Sequence, residues 1–211
     1  MFYELFIIFI LLFLSAHAVG IVENYTNPKK IILLGDSIFK NDSYVLSGYS
    51  VEDYIKEHNR DVINLAKDNA KIDSVYNQIK NIPDKDITQY VIFISIGGND
   101  IIHKYEYEDK RDNKELDIIF NKYTKLIDHI SNTYKTTIIL TNLYHPFVYN
   151  YKDYYPLIDK WNNIQKKYAN TKKLKVMDID SAINDPKNLV KDIEPSKSGG
   201  KIISKIILDS V

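Results

Sequence analysis

Two continuous apolar runs, each ending in a glycine turn that carries polar side chains, constrain this chain more than any other feature. Lys30-Ile31-Ile32-Leu33-Leu34 gives way to Gly35-Asp36-Ser37, and Val91-Ile92-Phe93-Ile94-Ser95-Ile96 gives way to Gly97-Gly98-Asn99-Asp100. A short run without polar alternation reads as a strand buried on both faces, which is characteristic of a parallel sheet. Glycine followed by short polar residues reads as a tight turn out of the strand. Open α/β sheets place their ligand sites beyond the carboxyl ends of the strands. Both turns are therefore expected to present side chains, Ser37 foremost, at that edge.

The rest of the chain alternates in the same way. Further strands are expected at about 62–65, 137–143 and 175–178 beside those at 30–34 and 90–96. Between the third and fourth, Leu116, Ile119, Phe120, Tyr123, Ile127, Ile130 and Tyr134 recur at three-to-four spacing and predict one long amphipathic helix. Leu157, Ile158, Trp161, Ile164 and Tyr168 predict another before the last strand. Residues 50–59 and 72–81 suggest shorter helices. Ile202, Ile203, Ile206 and Ile207 predict a closing helix that starts at Ser196 or Ser198. Strands alternating with helices make an α/β fold, a three-layer sandwich joined by right-handed crossovers.

With 211 residues the chain suffices for one domain, placed at 29–210. Lys+Arg 28 balances Asp+Glu 28, and no basic stripe stands out, which argues against nucleic acid as a partner. There is no cysteine, so disulfides and thiolate metal sites are excluded. The five histidines have no metal-ligand spacing, so neither a metal nor a cofactor is expected. The first eighteen residues read as a signal peptide: Leu5 to Leu14 is apolar, and Ser15-Ala16-His17-Ala18 offers cleavage after Ala18. An uncleaved membrane anchor is the alternative, although the run is shorter than a bilayer span. On an export route the sequons at Asn24 and Asn41 are candidate glycosylation sites.

The two glycine-turn segments resemble the SGNH, or GDSL, hydrolases, a family of serine esterases and lipases. Gly35-Asp36-Ser37 matches the family's first block, with Ser37 in the nucleophile position. Gly97-Gly98-Asn99-Asp100 matches the third block, with Asn99 in the oxyanion-donor position. The resemblance implies a flavodoxin-like five-stranded parallel sheet in the order 2-1-3-4-5. It also implies Asn69 as the counterpart of the second-block glycine, so that Asn69, Asn99 and Gly97 form the oxyanion set. Asparagine tolerates left-handed backbone angles better than most residues, which suits that replacement. Five of the seven glycines fall within the matched blocks.

The last block departs from the family. Where the family carries Asp-x-x-His, this chain reads Lys191-Asp192-Ile193-Glu194, with Glu194 in the position of the histidine base and Asp192 one residue from the aspartate position. A free glutamate has a pKa of about 4.3 against about 6.5 for histidine and is the weaker base. Burial raises a carboxyl group by up to several units, so a Ser37–Glu194 pair is chemically feasible. His145 and His103 are the other candidates for the base. Each catalytic candidate also has a structural reading: Ser37 as a helix N-cap, Asn99 as an Asx-turn, and Asp100 as a brace of its loop. Tyr144, Phe147, Tyr149, Tyr151, Tyr154 and Tyr155 crowd one loop, as the lining of an acyl or sugar pocket or as cover for the core edge. Two functions follow from the same residues. One is a secreted, monomeric esterase acting on small acyl esters or O-acetylated glycans. The other is an inactive secreted protein that binds a glycan, lipid or protein ligand on the same scaffold.

Overall fold

The computed structural model describes residues 29–58, 60–83, 87–107 and 113–211. The expected signal segment and the Asn24 sequon lie outside them. Five parallel strands form one sheet: β1 (Lys30–Gly35), β2 (Val62–Asn64), β3 (Tyr90–Ser95), β4 (Thr137–Thr141) and β5 (Lys175–Met177). Their order is β2-β1-β3-β4-β5, as the resemblance implied. Strands β2 to β5 end one to two residues earlier than expected, because the last residues of each run already belong to the turns that leave the sheet, whereas β1 runs one residue further, to Gly35.

Alternate residues of the apolar strands feed two cores, since successive side chains point to opposite faces. Ile32, Leu34, Ile92, Ile94, Ile138 and Leu140 pack into the first core; Ile31, Leu33, Val91, Phe93 and Ile139 pack into the second. The first face is covered by α2 (Ile72–Gln78), α3 (Gly98–Tyr107), α4 (Asn113–Thr133) and α5 (Tyr155–Lys172). The second is covered by α1 (Val51–Glu57) and α6 (Lys197–Leu208). Both long helices bury the faces their periodicity predicts, with Leu116, Tyr123, Ile127, Ile130 and Trp161 at or near zero exposure. Ser196 rather than Ser198 caps α6, accepting a hydrogen bond from the Gly199 N–H. Helix α3, opening within the second glycine turn, and a two-stranded hairpin of β6 (Leu189–Val190) and β7 (Glu194–Pro195) are additions to the expected elements. Among the described residues no helix is long and apolar enough to cross a membrane.

The register of β1 on β3 sets the position of both glycine turns. Gly35 pairs with Ser95, so the two strands stop at the same level. Gly35 has φ +135°, and a Cβ built on it would lie 1.7 Å from the Ser95 carbonyl oxygen. Neither the angle nor the space admits a side chain. Gly35→Ala is therefore expected to lower stability by about 3 kcal/mol or more, or to prevent folding. Urea unfolding measures this directly, and a variant within about 0.5 kcal/mol of the parent would contradict the close approach.

Candidate active site

Ser37 sits in the turn that follows β1. The Asp36 N–H donates to the Ser95 carbonyl oxygen at 3.1 Å, and the Asp36 carbonyl accepts from the N–H groups of Phe39 and Lys40 at 3.2 and 3.0 Å. The side chain that caps this turn is Asp36, whose Oδ1 accepts from the Ile38 N–H at 3.2 Å. Ser37 is thereby left for another role. Beneath the turn, the buried Gln78 grips Gly35 at both polar groups. Its Oε1 accepts from the Gly35 N–H and its Nε2 donates to the Gly35 carbonyl, each at 2.8 Å. Nothing in the motif reading singles out Gln78. Its one sequence signal is a polar residue at helical spacing within the apolar stripe of Ile72, Val75 and Ile79.

Asn99 lies in the first turn of α3, where its Nδ2 donates to the Ala70 carbonyl at 3.0 Å. That bond uses one of the two amide hydrogens. Asp100 accepts from the Ile72 N–H at 3.0 Å and so ties the start of α2 to α3, a bracing contact. Asn69 has φ +57°, the left-handed angle that a glycine replacement requires, but it is exposed and stands outside the cleft described below. Gly97 faces inward. A Cβ there would lie 2.5 Å from the Trp161 ring, so this glycine makes room for the tryptophan.

Glu194 reaches the site on the β6–β7 hairpin. Its turn carries Lys191 and Asp192 at φ +44° and +73°, and Asp192 is exposed and outside the cleft wall. Glu194 itself is buried. The Ser37 hydroxyl favours the charged form of its carboxyl group, and Oε2 is buried without a partner. Asn41 holds the hairpin against the nucleophile's own loop: its Nδ2 donates to the Pro195 carbonyl at 3.1 Å and its Oδ1 accepts from the Val51 N–H at 2.9 Å. The Asn41 side chain is fully buried, and a glycan on that nitrogen is incompatible with this packing. The Asn41 sequon is thus a structural asparagine. His145 is clamped by two carboxylates, with Nδ1 at 2.8 Å from Asp180 and Nε2 at 3.3 Å from Asp159. Neither it nor His103 belongs to the cleft wall.

One cleft brings together Asp36, Ser37, Asn99 and Glu194, while Asn69, Gly97 and Asp192 stay out of its lining. Most of the remaining wall is apolar or aromatic, including Ile101, Ile102, Leu143, Tyr144, Tyr154 and Ile158. Among the described residues no cluster of three or more histidine and carboxylate side chains is arranged to hold a metal.

Burial sets the charge state of the three carboxyl groups around Ser37. It raises Glu194 above its ordinary value, against the opposing effect of the Ser37 hydroxyl. It lifts Asp100 to about 6 and Asp36 to about 8; the Ile38 N–H bond opposes the latter rise and the neighbouring Glu194 and Asp100 charges add to it. Asp36 is then largely protonated at neutral pH and adds no charge beside Glu194.

A family model for the GDSL-like lipase/acylhydrolase family matches residues 33–201. Among solved structures, a G-D-S-L family lipolytic protein from Veillonella parvula superposes with a TM-score of 0.70 at 19% identity, covering 86% of this chain and 97% of its own. A catalytic mutant of an acetylxylan esterase from Geobacillus stearothermophilus gives 0.66 at 17% identity, covering 86% and 93%. A lipase from a goat rumen metagenome gives 0.64 at 20%, covering 86% and 97%. At these identities the likeness is one of fold. No curated protein matches the chain.

The raised carboxyl of Asp36 makes a prediction about stability. A group whose pKa is 3.8 when free and about 8 when folded favours the fold while protonated. Its contribution is complete below about pH 4 and is lost as pH rises towards 8. Asp100 adds the same trend only up to about pH 6. Asp36→Asn keeps the acceptor for Ile38 and should flatten the decline between pH 6 and 8 in denaturant midpoints. An unchanged slope would contradict the assignment.

Proposed function

We propose that this chain, which belongs to the GDSL-like lipase/acylhydrolase family, hydrolyses carboxylic esters through Ser37, with Glu194 as its base. The observation that carries the reading is that Ser37 and the buried Glu194 line one cleft, which also contains Asn99. Ser37 Oγ attacks the ester carbonyl carbon while Glu194 takes the hydroxyl proton. The carbonyl oxygen becomes an oxyanion and receives the second Asn99 amide hydrogen and the Ser37 backbone N–H. As the tetrahedral species collapses, the bond to the alcohol oxygen breaks and Glu194 returns the proton to it. Water, deprotonated by the same carboxylate, then attacks the acyl carbon; the bond to Ser37 Oγ breaks, Glu194 returns the proton to Oγ, and the acid is released.

Glutamate serves here because its burial brings its pKa closer to that of the histidine it replaces, and Oε2 stays free of competing donors. Asp36, kept largely neutral, acts in shaping the turn. Asp192 takes no part in the reaction. Both an acyl ester and an O-acetylated glycan are compatible with these steps. The apolar run before Ser15-Ala16-His17-Ala18 supports export of the protein with cleavage after Ala18.

Hydrolysis of p-nitrophenyl esters by residues 19–211 tests the reading. Ser37→Ala should abolish turnover, and Glu194→Gln should lower kcat by about 10²–10⁴. The parent rate should rise with pH as Glu194 ionises, on a profile displaced above that of an ordinary carboxylate. Equal turnover by the serine variant would defeat the proposal, and a parent-like kcat in Glu194→Gln would remove Glu194 as the base. A parent without turnover on any ester would favour the ligand-binding alternative.

A further inference from the structure

We infer that the cleft selects esters of longer acyl chains over acetyl esters; this rests on the serine-esterase reading above. The argument starts from direction. In the proposed reaction Glu194 returns its proton to the departing alcohol oxygen, so the alcohol leaves on the side of that carboxylate. There the surroundings are charged and polar. Asp68 and Lys191 both act electrostatically on Glu194, Tyr44 donates to Asp68 at 2.8 Å, and the Lys191 ammonium lies 5.0 Å from the Tyr44 ring centre. Lys191 is exposed and Asp68 half-buried, so a hydrophilic alcohol keeps its hydration on this flank.

On the other flank the wall changes character. Asn99 and Ile102 stand three residues apart on α3 and therefore share a face of the helix, with Ile101 beside them. A carbonyl oxygen placed at the Asn99 amide puts the acyl substituent next to that apolar face. The wall continues through Leu143 after β4, Tyr154 at the end of a 3₁₀ segment, and Ile158 in α5. Tyr154 meets Tyr105 edge-on at 6.2 Å and Tyr151 at 5.6 Å, so aromatic packing shapes this end. An acetyl group would cover little of the wall, whereas a longer chain removes both surfaces from water. Burying a methylene contributes roughly fourfold in an equilibrium or rate constant.

The test is a series of p-nitrophenyl acetate, butyrate, hexanoate and octanoate at matched conditions. The expected result is a rise in kcat/KM of at least about tenfold from acetate to hexanoate. Ile158→Trp, which narrows the wall from α5, should lower the octanoate-to-acetate ratio by about tenfold or more. Ile102→Trp at a half-buried position is expected to lower the same ratio and guards against misfolding of the first variant. A flat series, or one in which acetate is best, would overturn the chain-length inference while leaving the serine mechanism in place. Absence of turnover on every ester overturns the mechanism and this inference with it. A ratio unaffected by both tryptophans in well-folded variants would also overturn the assignment of the wall.

Discussion

The backbone contact between Gly35 and the Ser95 carbonyl is the constraint on which the site depends. A residue with no side chain lets β1 end against β3, and the Asp36 N–H then takes the Ser95 oxygen as its acceptor. Gln78 completes the grip from below by satisfying the Gly35 N–H and adding a donor to its carbonyl. The turn carrying Ser37 is thus held by three buried hydrogen bonds before the serine itself makes any. Preorganisation of this kind lets a nucleophile wait at a carbonyl without spending substrate binding on loop ordering. Asn99 gains the same rigidity from Ala70 and from the Asp100 brace to α2.

A glutamate in the role proposed for Glu194 asks more of its surroundings than a histidine would. An imidazole titrates near neutrality unaided, whereas a carboxylate must be desolvated to become a comparable base. The β6–β7 hairpin and the Asn41 clasp supply that desolvation by seating Glu194 under the cleft with one oxygen unpartnered. A second carboxyl so close would disfavour the charge on Glu194. Asp36 avoids this by remaining protonated, a consequence of its own deeper burial. The acidic turn beside Ser37 and Glu194 therefore belong to one electrostatic arrangement, in which the protonation of Asp36 spares Glu194 a neighbouring charge.

The apolar runs at 30–34 and 90–96 made the parallel sheet legible, because burial on both faces leaves no polar alternation. The helical stripes through Leu116–Tyr134 and Leu157–Tyr168 were equally plain. The strand order came only with the family resemblance, since periodicity carries no information about neighbours. Ser37, Asn99 and Glu194 were readable through matched blocks, and they share one cleft. Gly97 lies outside the cleft lining and against Trp161, and a turn glycine that avoids a tryptophan looks the same in sequence as one that approaches a ligand. Asp192 lay one position from a motif residue, yet the left-handed turn carries it to solvent. The grips by Gln78 and Asn41 depend on contacts across 43 and 154 residues, beyond the reach of local pattern. Asn41 in particular showed only as a sequon, although its amide is buried in the joint between loop and hairpin.

The central claim, that Ser37 is a nucleophile activated by a carboxylate, is tested most directly by covalent capture with a fluorophosphonate followed by peptide mass spectrometry. The expected outcome is one adduct on the peptide containing Ser37, absent from Ser37→Ala and much slower to form in Glu194→Gln. Labelling at the parent rate in the glutamine variant, or an adduct on any other residue, would contradict it.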